Sequence, residues 1–161
     1  MAIYDTEQFL RDLETVMKAN LNTKITAINT EKGDFEIANI NDGAWYFQNL
    51  NSEVFSYAQF IAWGLGNSPD SQGEQNDNYM ERIRVMYEVC LADEGERSSR
   101  GINYKLLRYQ RAMKEVVLEN FDSYRGHTKT LITSLTPTSF TLDGKLFRSA
   151  GIQIQAALTA R

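Results

Sequence analysis

Few residues of this chain have the types and spacing that catalysis or metal binding requires. The one histidine, His127, has no second histidine and no neighbouring cysteine, so a zinc site lacks ligands. No Gly-x-Ser-x-Gly motif is present to supply a nucleophilic serine. The Gly-Leu-Gly run at 64–66 is not followed by the third glycine of a dinucleotide-binding motif, and no Gly-Lys-Ser/Thr phosphate loop occurs. The sequence therefore predicts no catalytic residue, no cofactor and no bound metal.

Two groups of carboxylates are the remaining candidates for chemistry. Asp70, Glu74 and Asp77 are oxygen ligands, but their spacing does not match a calcium-binding EF-hand loop. Glu94 and Glu96 lie in a polar turn, where neither carboxylate is desolvated enough to acquire a strongly shifted pKa. We therefore expect solvated surface carboxylates in both places.

Composition excludes several function classes. The 161 residues carry a net charge of −4, which disfavours a primary role in nucleic-acid binding, since that needs clustered Lys and Arg. Cys90 is the one cysteine, so internal disulfides are excluded, and its mid-strand position predicts a buried structural thiol. No apolar run approaches the roughly 20 residues of a membrane span. The N-terminus lacks a basic segment followed by an apolar one, so we expect synthesis in the cytoplasm.

The element on which the rest of the chain depends is a long alternating segment, Tyr79–Asp93. Apolar residues dominate one parity, whereas the other parity mixes Met, Cys and Ala with Arg82, Arg84 and Glu88. A period of two places successive side chains on opposite faces of a sheet. This segment is therefore predicted to be a strand with one core face and one mixed face, and the mixed face suits contact with another protein.

Two helices are predicted around this strand. The first runs from about residue 6 to 30, because apolar residues recur every three or four positions from Leu10 to Ile28. An interruption is expected at residues 20–23, where Asn and Thr compete for backbone hydrogen bonds, and Gly33 is predicted to end the helix. The second helix is predicted over 102–121, with an apolar stripe from Ile102 to Phe121.

One edge of the second helix is basic. Lys105, Arg108 and Arg111 follow one another at intervals of three, which places them on one side of the helix. A solvated helix face is favoured over phosphate binding, because no exposed aromatic residues interleave with these cations and the chain is acidic overall.

The remaining strands are shorter or less regular. An aromatic run at 44–47 follows the Asp42-Gly43 turn signal and is predicted as a strand or a core plug. Further strands are predicted at 52–65, 127–138, 139–142 and 146–160, with a turn at Asp143-Gly144 and a bulge at Gly151. Pro137 is expected to end regular pairing.

A polar insertion separates the strand at 52–65 from the long alternating strand. Residues 66–78 contain no aliphatic or aromatic residue, three acidic residues and no basic one. Such a segment buries too little apolar area to offset the entropy of ordering, so it is predicted to be a flexible loop. It is either a solvated connection or an arm at an assembly interface.

Taken together, these elements predict an α+β fold: a small, mostly antiparallel sheet packed by two long helices. The length is that of one domain with a substantial core, so we expect a single domain over residues 1–161, with the flexible polar loop at about 66–78.

Three segments resemble small neck and tail-end proteins of tailed bacteriophages. They are DLETVMKANLNTKITAINTEKGD at 12–34, YKLLRYQRAMKEVVLENFD at 104–122 and FRSAGIQIQAALT at 147–159, in the order expected of that group. The likeness is greatest to the tail terminator or tail completion proteins. It implies an α/β subunit of a homo-hexameric ring that caps the tail tube and meets the neck or head connector, within the virion. It implies no catalysis, no membrane contact and no sequence-specific nucleic-acid binding, although DNA passes through such a ring.

This resemblance supplies no residue roles, so the interface prediction comes from the charge pattern. A ring needs heterologous contacts between different surfaces of neighbouring copies. We expect the Arg82/Arg84 face, which also carries Glu88, to pair with acidic residues of the next subunit. The predicted acidic residues are Asp70, Glu74, Asp77, Glu94 and Glu96.

Three alternatives remain open at this stage. One is a head completion or connector protein, or a tube-associated minor protein, of the same virion. Another is a non-catalytic, host-directed binding module that acts as a monomer or dimer. The third is an enzyme of a type that the motifs do not reveal. The size of the assembly distinguishes a ring from a monomeric or dimeric module.

Overall fold

A computed structural model gives the structure of residues 6–46, 58–69, 80–93, 99–120 and 127–159. The first element is helix α1, Thr6–Lys32, which is continuous over 27 residues. Its apolar stripe is fully buried from Leu13 to Ile28. At the start of the stripe Phe9 is buried and Leu10, predicted as the first stripe residue, is only half-buried. Gly33 ends the helix with a φ of +64°, as predicted.

The predicted interruption of α1 at residues 20–23 is wrong. The Asn20 side chain donates to the Val16 carbonyl oxygen of the preceding turn, so it does not divert the backbone. The Asn22 side chain makes its hydrogen bonds with a different segment, at Ile40. Neither asparagine side chain therefore displaces a backbone hydrogen bond of the helix, and α1 continues through residues 20–23.

The segment after α1 lies against the helices as an extended strap. We define the strap as residues 34–44, an extended stretch that ends in a single 3-10 turn, Asp42–Ala44. Ile37, Ile40 and Ala44 are buried in the core that the helices and the sheet share. The turn at Asp42-Gly43 is therefore confirmed.

The described strands form a six-stranded sheet. They are β1 (Trp45–Tyr46), β2 (Gln59–Pro69), β3 (Met80–Ala92), β4 (His127–Ser134), β5 (Thr138–Leu142) and β6 (Lys145–Thr159). The order is β1-β2-β3-β6-β4, and β5 also pairs with β6. The β1–β2 pairing is parallel, and the other described pairings are antiparallel.

Strands β3 and β6 form the centre of the sheet. They pair without a break from Met80 opposite Thr159 to Ala92 opposite Phe147. The predicted long strand is confirmed. The expected bulge at Gly151 is not present, because Gly151 lies in register with Glu88.

Gly151 is instead needed for a close approach between strands. A Cβ atom at this position would overlap the Tyr87 carbonyl oxygen and lie 2.6 Å from Glu88 Cγ. The Gly151 carbonyl oxygen also accepts hydrogen bonds from the Leu135 amide and from the buried Gln110 side chain.

Several predicted boundaries shift. Strand β2 continues to Pro69, so the first four residues of the predicted loop are strand, while residues 70–78 and the predicted strand residues 52–57 lie outside the described ranges. The predicted strand at 127–138 ends at Ser134, because residues 135–137, which include Pro137, are not paired as a regular strand, and the strand predicted at 139–142 begins at Thr138. The hairpin turn at Asp143-Gly144 is confirmed, with φ values of 50° and 74°.

Helix α2, Ser99–Glu119, begins three residues before the predicted start. Its apolar stripe packs on β3 and β6, and α1 packs beside it. Ion pairs join the two antiparallel helices, Lys24 with Glu119 and Arg111 with Glu31. Two long helices therefore pack on one mostly antiparallel sheet in a single α+β domain, as the sequence predicts. Neither helix has an apolar stretch long enough to cross a bilayer.

Candidate interaction surface

The two faces of the sheet have different surroundings. Val85, Tyr87 and Val89 of β3 and Ile152 and Ile154 of β6 are buried in the cluster that includes the apolar stripes of both helices. The register places Val85 opposite Ile154 and Tyr87 opposite Ile152, so these side chains share one face. The helices therefore cover this face of the sheet.

The opposite face carries the mixed parity of β3. We call it the polar sheet face. It is centred on Arg84, Met86 and Glu88 of β3 and on Gln153 and Gln155 of β6. Arg84 is exposed, and the other four residues are half-buried. Neither helix packs on this face, which agrees with the prediction of a mixed surface suited to protein contact.

One end of the polar sheet face is closed. The Phe140 and Phe147 rings stack with centroids 5.9 Å apart, and the hydroxyl oxygens of Thr138 and Ser149 lie 3.0 Å apart. Cys90 is opposite Ser149 and is buried, as predicted. Burial raises the pKa of the Cys90 thiol, and the nearby charge of Glu88 adds to this effect. A thiol held neutral in this way is a packing group.

The other end of the face gathers positive charge. Arg82 lies opposite Ala157 of β6, and Ala157 lies opposite Lys129 of β4. Two residues further along β3, the next position on this face is Arg84, which lies opposite Gln155. A row here is a set of residues that lie opposite one another across neighbouring strands. Arg82, Arg84 and Lys129 therefore occupy two adjacent rows, and we call these three residues the basic end. Sequence inspection missed Lys129 because it is far from the arginines in the chain, and strand order alone brings it near them.

Of the eight residues predicted to form the subunit interface, three lie in described parts of the chain. Arg82 and Arg84 share the parity of Glu88 on β3, so the strand places the three at positions of one face, as expected. The predicted acidic residues lie outside the described ranges: Asp70, Glu74, Asp77, Glu94 and Glu96. Their pairing with the arginines stays a prediction.

Arg108, in the middle of the predicted basic edge of α2, is not solvated, whereas Lys105 and Arg111 are half-buried. The Arg108 side chain is only 9% exposed, lies 3.8 Å above the Phe35 ring and donates to the Phe35 carbonyl oxygen. It also donates to Asp34 Oδ1 at 2.6 Å. Arg111 donates to Glu31 and Glu115. These two arginines stabilise the packing of α1, the strap and α2, and neither is available to a phosphate.

The strap is held by side chains from both helices. The Asn22 side chain donates to the Ile40 carbonyl oxygen and accepts from the Ile40 amide, and Asn29 does the same at Ile37. The Tyr109 hydroxyl donates to the Ala38 carbonyl oxygen. The strap is therefore a fixed surface segment. One feature of the sequence indicates this strap. Asn22 and Asn29 are seven residues apart and so lie on one face of α1, and two apolar residues, Ile37 and Ile40, follow shortly after the helix.

An open groove of about 450 Å³ lies between α2 and β5. Asn103, Leu107, Pro137 and Arg148 are among the residues that line it. Its one charged residue, Arg148, donates to Asp93 at 2.7 Å. Among the described residues, no three of the types His, Cys, Asp and Glu are grouped to hold a metal ion.

No protein-family model matches the sequence, and neither does any curated protein. Among solved structures, the fold is similar to a chain from the virion of a native gene transfer agent particle. The match covers 89% of this chain and 95% of the other, with 10% sequence identity and a TM-score of 0.37. This likeness is too distant to assign a function.

Proposed function

We propose that this protein is a structural subunit of a tailed phage virion, and that it acts by assembling with copies of itself. The observation that carries the proposal is the polar sheet face: one helix-covered face of the sheet forms the core, and the other presents Arg84 beside Met86, Glu88 and two glutamines. Such a mixture of charged, amide and flexible apolar side chains suits a wet protein–protein contact.

The resemblance of residues 12–34, 104–122 and 147–159 to tail terminator and tail completion proteins narrows the proposal. The subunits form a hexameric ring at the end of the tail tube and join it to the neck or head connector. The chain contributes binding surfaces and rigid geometry, and no chemical step is part of its role. The protein acts in the virion after synthesis in the host cytoplasm.

Both faces of the sheet have a part in this role. Helices α1 and α2 and the strap form a rigid layer, since salt bridges and side-chain hydrogen bonds connect all three. A rigid layer fixes the orientation of the polar sheet face. Fixed orientation matters because a ring closes only if each subunit meets the next at the same angle.

The size of the free protein tests the proposal first. Six copies of the 18.4 kDa chain have a mass of about 110 kDa, which sedimentation velocity separates readily from a monomer. The same sample in negative stain should show rings. If assembly needs the tail tube as a template, rings should appear at the tube ends when the protein is mixed with purified tubes. A chain that stays monomeric in both experiments contradicts the proposal.

Charge reversal tests the surface. The double change Arg82→Glu and Arg84→Glu should weaken the ring, because both residues are at polar-face positions of β3. Lys18→Glu is the matched control, since Lys18 is an exposed cation on α1. An unchanged sedimentation profile for the doubly reversed chain would exclude this face as a subunit contact.

A further inference from the structure

We infer that the polar sheet face of one copy binds the strap of a second copy, with the basic end against the strap carboxylates Glu36 and Asp42. The inference rests on the proposed function and names the surface of the neighbouring subunit that the ring uses. Three observations identify the strap as the partner of the polar sheet face: the charges of the two surfaces, their placement in the fold and the area available for contact.

The strap presents two carboxylates without an ion pair in the described part of the chain. Glu36 and Asp42 are exposed, and neither has an ion pair with another described residue. Asp34 differs, because Arg108 binds it. Exposed amides at Asn39 and Asn41 lie between the two free carboxylates. The strap therefore offers hydrogen-bonding amides flanked by negative charge.

The polar sheet face offers the complement. Its basic end consists of Arg82, Arg84 and Lys129, and Arg84 is exposed without an ion-pair partner in the described part of the chain. Gln153 and Gln155 follow along β6 and can exchange hydrogen bonds with the strap amides. Complementary charge favours both the correct partner and fast encounter. In a chain of net charge −4, three basic residues in adjacent rows are a local exception that calls for a negative partner.

The two surfaces lie on opposite layers of the molecule. The strap packs on the helices, the helices cover one face of the sheet, and the basic end is on the other face. Contact between different surfaces of successive copies is heterologous, and such a contact closes into a ring when the rotation per subunit permits. The geometry thus fits a ring better than an isolated two-fold dimer.

The open part of the polar sheet face approaches the size of a specific interface. Strands β2, β3, β6 and β4 are spaced by about 4.8 Å, and β3 is roughly 30 Å long from Met80 to Glu88, before the closed end, so this part covers on the order of 400–600 Å². A standard specific interface buries roughly 800 Å² on each partner. A preorganised strap also reduces the ordering cost, since Asn22 and Asn29 already fix its backbone.

A charge-swap experiment tests this pairing. One variant carries Arg82→Glu with Arg84→Glu, which gives the basic end a net negative charge, and the other carries Glu36→Lys with Asp42→Lys. Each variant alone places like charges at every contact, so its self-association should weaken at least about tenfold. A one-to-one mixture should recover rings, because every contact between unlike chains then joins opposite charges. Lys18→Glu alone should assemble like the natural chain, and thermal melting of each variant confirms folding.

The outcomes separate the two proposals. If the natural chain forms rings and both variants assemble unchanged, or if the mixture fails to recover rings, the strap is not the partner although the ring remains. If the natural chain stays monomeric even with tail tubes, both proposals fail. If the variant with Arg82→Glu and Arg84→Glu assembles normally but loses retention on immobilised duplex DNA at low salt, the basic end is a nucleic-acid surface and the inference is overturned.

Discussion

The Asn22 side chain makes both hydrogen bonds that the Ile40 backbone requires, donating to the carbonyl oxygen at 3.0 Å and accepting from the amide at 2.8 Å. A side-chain amide here replaces a neighbouring strand. The strap therefore remains extended against α1 without joining the sheet, and its outer edge, with Glu36 and Asp42, stays exposed.

Replacement of Asn22 by alanine should destabilise the protein by about 1–3 kcal/mol, because the backbone groups of buried Ile40 lose their partners. Urea denaturation measures the change in the free energy of unfolding. Hydrogen exchange of the Ile40 amide should accelerate selectively. The control Asn39→Ala removes an exposed strap asparagine and should have little effect. Equal stability of the two variants would show that Asn22 does not anchor the strap.

Arg108→Ala should cost about 2–4 kcal/mol, because a nearly buried guanidinium loses its hydrogen bond to the Phe35 carbonyl oxygen and its stacking on the Phe35 ring. Arg108→Lys should recover only part of this loss, since an ammonium group cannot reproduce the planar contact. Asp34→Asn keeps the stacking and should be milder than either. Chemical denaturation measures the loss in free energy of unfolding for each of the three variants. A larger loss for Asp34→Asn than for Arg108→Ala would contradict this account.

Gly151→Ala should lower the melting temperature strongly, because the new Cβ overlaps the Tyr87 carbonyl oxygen at the centre of the sheet. The same change at Gly43 is the matched control, since a Cβ there meets nothing within 4 Å. Differential scanning calorimetry of the two variants makes the comparison directly. A Gly151→Ala protein as stable as Gly43→Ala would mean that β3 and β6 separate without cost.

The ion pair between Glu31 and Arg111 should make stability depend on pH. Hydrogen bonding to Arg111 lowers the pKa of Glu31 from 4.5 to about 2. Because the folded-state pKa lies below the unfolded value, the stabilisation is complete above about pH 4.5 and is lost as pH falls towards 2. The stability curves of the natural chain and Glu31→Gln should therefore differ at pH 7 and converge over that range.

Repetition in an Arg111→Gln background controls this experiment. Without the guanidinium, Glu31→Gln should have a much smaller effect at pH 7, because the main cause of the pKa shift is gone. Carboxyl titration by NMR reports the Glu31 pKa directly. A Glu31 pKa near 4.5 in the folded protein would contradict the prediction.

Sequence alone determined the elements that depend on local periodicity. The period of two from Met80 to Ala92 and the apolar stripes from Leu13 to Ile28 and from Ile102 to Val117 match the observed strand and helices. Periodicity is so informative here because burial of one face is the main source of stability for each element. Cys90 was likewise predictable as a buried thiol from its place in the strand.

Tertiary structure decided what periodicity cannot encode. The spacing of Arg108 on α2 predicts a solvated position, whereas the packing of α2 beside the strap buries its side chain against Phe35. Gly151 suggested a bulge, whereas its role depends on how closely β3 approaches β6. Lys129 joins the basic end only because β4 pairs with the far half of β6. In each case the deciding neighbour is distant in the chain, and spacing along a sequence carries no information about which distant segments meet.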